Sequence, residues 1–198
     1  MKKFKVLFLV AMLSTTAMTT AQTTSFGIKG GLGMSDFGGG VEGAKARVGF
    51  NVGITADYEF KSNMSIQSGL SFITKGANMS EGNSFVGLNY LQLPVYFAYK
   101  TAVSPATRIV FQAGPYAAYG IGGKTKYEEA GESISDDSFG RYGDVKRFDA
   151  GLGLGIGVDF GHFIVGLGWD MGLLNIYSYP DEGKVNNQSG YLSVEFKF

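Results

Sequence analysis

The chain has 198 residues, with 17 basic and 17 acidic side chains, 31 glycines, four prolines and no cysteine. That length suits one small domain. Without cysteine there is no disulfide, thiol nucleophile, cysteine-metal site or lipid-attachment cysteine, and the single histidine, His162, rules out histidine-based metal clusters. Charged residues make up only 17%, below the usual quarter of a soluble domain, and the charge balance offers no footing for a nucleic-acid partner.

Met1 to Ala21 reads as a secretory signal peptide. Lys2, Lys3 and Lys5 precede an apolar run from Val6 to Leu13, and Thr19 and Ala21 occupy the small-residue positions before Gln22. A membrane-spanning helix needs roughly 20 apolar residues; this run is too short, and no later stretch qualifies. Any membrane residence must therefore be as a closed β-barrel. Removal of the leader leaves a mature domain of residues 22–198, with 14 basic against 17 acidic residues.

From Thr24 onward, segments of alternating character recur, the side-chain period of a strand with two unlike faces. The first sets Phe26, Ile28, Leu32 and Met34 against Gly27, Lys29, Gly31 and Gly33. The second sets Val48, Phe50, Val52, Ile54, Ala56, Tyr58 and Phe60 against Arg47, Gly49, Asn51, Gly53, Thr55, Asp57 and Glu59. A third, Met64 to Phe72, has its apolar face broken by Ser68. A fourth sets Leu91, Leu93, Val95, Phe97 and Tyr99 against Tyr90, Gln92, Pro94, Tyr96 and Lys100. The fifth runs from Arg108 to Ile121, and Pro115 within it predicts a bulge or weakened pairing. The eighth sets Leu192, Val194, Phe196 and Phe198 against Tyr191, Ser193, Glu195 and Lys197.

The sixth and seventh form the clearest pair, RFDAGLGLGIGVDFGHFIVGLGWD from Arg147 to Asp170. One face carries Phe148, Ala150, Leu152, Leu154, Ile156, Val158 and Phe160. The other carries Arg147, Asp149, Asp159 and a row of glycines. Gly161-His162 makes the turn, and Asp170 closes the returning strand. A water-facing strand is rarely built of glycine, which covers nothing. Small residues with a few long charged ones suit the crowded interior of a narrow barrel, so the apolar face meets hydrocarbon. The expectation is an all-β, eight-stranded, antiparallel, up-and-down transmembrane β-barrel.

The connections alternate in length. Lys61–Asn63, Thr101–Thr107 and Gly161-His162 are short, whereas Gly38–Ala46, Gly76–Asn89, Gly122–Lys146 and Asn175–Gln188 are long. Short periplasmic turns and long outer loops are the usual asymmetry. It puts both mature termini in the periplasm, near a girdle of aromatics.

The final strand ends on Phe198, behind Phe196, and resembles the signal read by the barrel assembly machinery. The segments YLQLPVYFAY (90–99), GPYAAYGIGGK (114–124), RFDAGLGLGIGVDF (147–160) and YLSVEFKF (191–198) resemble the PorT-like outer-membrane β-barrel domain family of gram-negative bacteria. The resemblance spans roughly Thr24 to Phe198. It implies a small outer-membrane barrel and, through PorT, an association with a protein-secretion system. Its motifs mark architecture and carry no catalytic signature.

The inward list holds six cations (Lys29, Arg47, Lys100, Arg108, Arg147 and Lys197) and six acids (Asp57, Glu59, Asp149, Asp159, Asp170 and Glu195). In so narrow a barrel they read as one internal salt-bridge network that fills the lumen, with a narrow gated ion path as the alternative. His162 falls in a periplasmic turn, there is no G-x-S-x-G elbow, and Gly123-Lys124-Thr125 lacks the first glycine of a phosphate loop. No enzyme activity and no cofactor is expected. The loop from Lys124 to Lys146, with Glu128, Glu129, Glu132, Asp136, Asp137 and Asp144, reads as a solvated surface loop that could bind a partner, a polysaccharide or a divalent cation. Outer-membrane lipid and lipopolysaccharide are the expected surroundings. The function expected is structural or interaction-based, with an accessory part in secretion or uptake as the alternative and a soluble lipocalin-like carrier as the alternative fold.

Overall fold

The computed structural model describes residues 23–39, 43–79, 84–129, 132–139, 145–178 and 183–198. The signal peptide, Arg141 and Asp144 lie outside these residues. So do the side chains of Glu128, Glu129 and Glu132.

Alternation is realised as long strands: β1 (Thr23–Gly38), β2 (Ala44–Lys61), β3 (Met64–Met79), β4 (Phe85–Ser104), β5 (Thr107–Glu129), β6 (Glu132–Asp137), β7 (Phe148–Asp159), β8 (Phe163–Gly172) and β9 (Asn186–Lys197). All pairings between them are antiparallel. The order β4-β3-β2-β1-β9-β8-β7-β5, with β4 also paired to β5, closes a barrel of eight strands. Closure satisfies every strand edge of the wall, which a bilayer demands.

The two faces separate as the sequence predicts. Leu32 is 70% exposed, Leu154 and Leu167 60% each, and the sole tryptophan, Trp169, 50%; Asp149, Asp159 and Asp170 are buried. An apolar belt of that extent on a soluble protein would drive aggregation. On a barrel wall it is the lipid face, and the lumen holds the polar side chains.

Three features depart from expectation. First, β3, β4 and β5 run far into the stretches read as loops. The 23 residues of β5, at about 3.3 Å each, outrun an apolar band about 25 Å tall even when tilted about 40°. Second, the loop from Lys124 to Lys146 is in part regular structure. There β6 returns along β5, pairing Lys124 with Asp137 and Tyr127 with Ile134, and forms a ninth strand outside the closed wall. The wall is thus tall along β3 to β6 and short along β7 to β9. Third, bulges fall where no proline marks them. The weakened pairing expected at Pro115 is present, since bonding to β4 lapses between Pro94–Tyr116 and Phe97–Ala113 without a register shift, but a bulge lies higher, where Asn89 faces Gly122 and Tyr90 faces Gly120. A second shift separates Ala46–Ala77 from Asn51–Ile73 in the β2–β3 pair. Each bulge turns the residues beyond it to the other face.

The end with tight turns (Ser62-Asn63, Pro105-Ala106 and Phe160–His162) also carries both strand termini. It is the turn end below; the opposite end is the loop end. At the turn end Gly161 adopts φ 92°, a left-handed conformation that glycine takes without strain, so the β7–β8 hairpin reverses in three residues.

Candidate functional site

The lumen is the place where polar side chains converge, and it divides into three levels. At the turn end an unbroken relay of ion pairs crosses it. Lys100 Nζ donates to Asp57 Oδ2 and Glu59 Oε2, each at 2.8 Å. Arg108 then bridges Glu59 (3.2 Å) and Asp159 (3.1 Å), and Lys197 donates to Asp159 at 2.8 Å. Gln67 donates to Asp57 at 2.9 Å. The six charged groups come from β2, β4, β5, β7 and β9, so the relay ties together strands far apart in the wall. Three cations meet three carboxylates, and no formal charge is left over. Strand pleat explains the arrangement: Asp57 and Glu59 are two apart on β2 and share a face, and Lys100 reaches both from β4.

The middle level is looser. Asp170 accepts hydrogen bonds from Gln92 (2.7 Å), Tyr96 (3.1 Å) and Tyr191 (3.4 Å), all uncharged donors. Lys29 lies 5.3 Å from the centre of the Tyr191 ring, and Glu195 accepts from Thr55 at 2.8 Å. The glycines make room for these large groups. A Cβ on Gly168 would overlap the Tyr191 ring, and one on Gly153 would overlap the Tyr96 hydroxyl. A void of about 60 Å³ remains between Lys29, Gln92, Asp170 and Glu195, with room for about four waters.

At the loop end the lumen is mostly apolar, in contrast to the charged filling expected from alternation. Ile73, Val86, Leu88, Tyr90, Tyr116 and Ala118 point inward from β3, β4 and β5. Phe139, after β6, and Ile176, after β8, fold down over them. The Phe139 ring packs edge-on to Tyr90 at 5.5 Å and lies against Gly120, where a Cβ would overlap it. Beneath this cork sits one buried ion pair, Lys75–Asp149 at 3.3 Å, with both side chains at 0% exposure. Lys75 Nζ lies 4.4 Å from the centre of the Tyr116 ring, a cation–π contact, and Asn187 donates to Asp149 at 3.0 Å. Backbone bonds hold the cork: Lys146 N to Ile176 O at 2.7 Å, and Ile176 N to Val185 O at 2.9 Å. Asn175 Oδ1 accepts from the amides of Tyr177 and Val185, fixing the turn that carries Ile176.

The twelve residues expected to form one network therefore divide. Asp57, Glu59, Lys100, Arg108, Asp159 and Lys197 form the relay. Lys29, Asp170 and Glu195 line the middle level, with no ion-pair partner among the described residues. Asp149 pairs instead with Lys75, which falls between the third predicted strand and the loop that begins at Gly76. Two placements are corrected. Arg147 is exposed at the loop-end rim, where its guanidinium donates to the carbonyls of Gly120 (2.9 Å) and Phe139 (3.0 Å) and fastens the cork. Arg47 lies within the β2 bulge, and its side chain passes to the outside of the wall. Its guanidinium covers Gly87, which faces away from the lumen because its neighbours Val86 and Leu88 face into it. The aromatic end of the chain is ordered as a cluster, with Phe196 5.0 Å from Phe163 and 5.9 Å from Phe198, centre to centre.

The comparisons with known proteins agree with this geometry. The family described as "Outer membrane protein beta-barrel domain" matches residues 20–178. Among solved structures, the outer membrane protein OprG of Pseudomonas aeruginosa is 14% identical with a TM-score of 0.52. The match covers 92% of this chain and 99% of that one. Neisserial surface protein A is 11% identical with a TM-score of 0.51, covering 89% and 99%. At such identities these likenesses speak for the fold alone. No curated protein matches the chain. With its closed eight-strand wall, its apolar belt and a family match over most of its length, the chain belongs to the outer membrane protein beta-barrel domain family and is a protein of the outer membrane.

Proposed function

We propose that this protein is a structural and interaction barrel, with a lumen closed by its own side chains and binding carried by the surface at its loop end. The observation that carries this reading is the double closure: the ion-pair relay at the turn end and the Phe139–Ile176 cork at the loop end. A conducting barrel needs a continuous polar path, and here the apolar cork interrupts it. Catalysis forms no part of the reading. The inward carboxylates are engaged by lysine, arginine, tyrosine, threonine and amide donors, and His162 sits in a tight turn at the other end from the cork.

In this reading the turn end and both termini lie in the periplasm and the tall β4–β6 wall projects outward among lipopolysaccharide. Phe196 and Phe198 serve as the signal for the assembly machinery. A second reading, the PorT-like one, is an accessory part in a secretion or uptake apparatus, and the height of β5 and β6 past the apolar band favours it, since machinery could grip there. Photo-crosslinking in intact cells from residues of β6 separates the two. Adducts with lipopolysaccharide or surface ligands alone support the interaction barrel. Adducts with subunits of an envelope machine support the second reading and overturn the first.

A further inference from the structure

The two bulges have a joint effect on the outside of the wall. Below them the lipid face is apolar; beyond them each brings a cation outward that simple alternation would send into the lumen. The β2 bulge turns out Arg47, and the β5 bulge turns out Lys124. Between them the outward positions of β3 and β4 are Gly76 and Gly87, cross-strand partners, and Gly87 is in turn the partner of Lys124. The result is a shallow floor without side chains. Arg47 lies across it, its guanidinium over Gly87 and 4.4 Å from the centre of the Phe85 ring. Partnered positions on neighbouring strands are about 5 Å apart, so the guanidinium reaches within about one strand spacing of the Lys124 backbone. The next row outward repeats the pattern, with Lys45, Asn78, Phe85 and Lys126 on successive partnered positions. Lys45 and Lys124 are exposed. Two described acids lie at the margins. Asp137 is opposite Lys124, and Asp36 accepts its hydrogen bond from the adjacent Phe37 amide.

Depth decides the occupant. Leu91 is the last large apolar residue on the outward face of β4 before Asn89 and Gly87. Along β4, four residues at about 3.3 Å, tilted about 40°, put the Gly87 floor about 10 Å beyond Leu91, and the exposed Val48 and Ile121 end the apolar band nearer to it on β2 and β5. That is the headgroup layer. From Gly76–Gly87, Lys45, Arg47 and Lys124, we infer that the outer wall of β2–β5 is a binding site for the phosphate group of an outer-leaflet phosphoglycolipid. The arginine fork can take two phosphate oxygens, and the lysines supply flanking point charges. The glycine floor lets the guanidinium lie flat against backbone, with its outer side turned to the phosphate. The cradle is on the lipid side of the wall, below the loop tips, so its ligand arrives laterally from the membrane.

The inference rests on the orientation proposed above, which is checked separately by labelling a Lys184→Cys variant with a membrane-impermeant maleimide in intact cells. The binding test uses the folded full-length barrel in detergent, with native mass spectrometry reading bound bisphosphorylated lipid A against the same lipid stripped of phosphate. Wild type should prefer the phosphorylated form. Arg47→Ala and Lys124→Ala should each weaken it about fivefold and leave the stripped lipid unchanged. Gly87→Ala, whose methyl group displaces the guanidinium, should act like Arg47→Ala. Gel mobility before and after heating confirms that each variant is folded. Equal binding of the two lipids, or variants that bind as wild type, would overturn the inference. So would displacement by inorganic phosphate at equal concentration, which reassigns the site to a free anion. Variant-sensitive binding of a sulfated polysaccharide in place of the lipid would assign it to a soluble ligand and overturn it as well.

Discussion

Replacing Lys100 by Met lowers the unfolding free energy of the barrel by about 3–5 kcal/mol, the cost of leaving buried charge without its partner. Lys100 is 4% exposed and gives both of its short ion-pair contacts to carboxylates two residues apart on β2. Without the ammonium, Asp57 and Glu59 face each other in the lumen; Asp57 keeps Gln67 and Glu59 keeps Arg108. Those bonds do not replace a central cation. Urea unfolding in phospholipid vesicles, followed by Trp169 fluorescence, measures the loss, since that tryptophan reports the lipid-facing wall. The exposed Lys61, at the same end but two strands from Lys100, is the control: Lys61→Met should leave the midpoint unchanged. A Lys100→Met midpoint equal to wild type would mean that water already solvates these carboxylates and that the relay does not seal the turn end.

The second large effect lies under the cork. Lys75→Met strands Asp149, which is buried and among the described residues retains only Asn187 at 3.0 Å and Tyr116 at 3.4 Å as donors. A loss of about 3–5 kcal/mol is expected in the same assay. The double variant Lys75→Met, Asp149→Asn should recover most of it. The amide oxygen still accepts from Asn187, and no charge is left to be buried. Recovery identifies the stranded charge as the source of the penalty. A double variant as unstable as the single one would instead assign net stabilisation to the Lys75–Asp149 pair joining β3 to β7.

Both effects bear on what the sequence could reveal. Alternation over β1, β2, β7, β8 and β9 marks the wall and its two faces, because the lipid side is large and apolar while the lumen side is glycine or charged. The relay residues follow from that parity, since Asp57, Glu59, Lys100, Arg108, Asp159 and Lys197 all lie on uninterrupted strand. The loop end was less legible for three reasons. Around FVGLNYLQL, apolar residues occupy both faces, with Val86, Leu88 and Tyr90 inward and Leu91 and Leu93 outward, so period 2 loses contrast there. The bulges reverse parity without any local sequence break, which is why simple alternation sends Arg47 into the lumen. Phe139 and Ile176 close the mouth through tertiary contacts that no periodicity records. One signal for Lys75 was present: Ile73, Lys75 and Ala77 continue the inward face of β3 past Phe72.

Planar-bilayer recording of the purified, folded protein tests most directly whether the lumen is closed. The double closure predicts a baseline without steady open channels across physiological voltages, and long-lived ohmic steps from the wild-type barrel would contradict it.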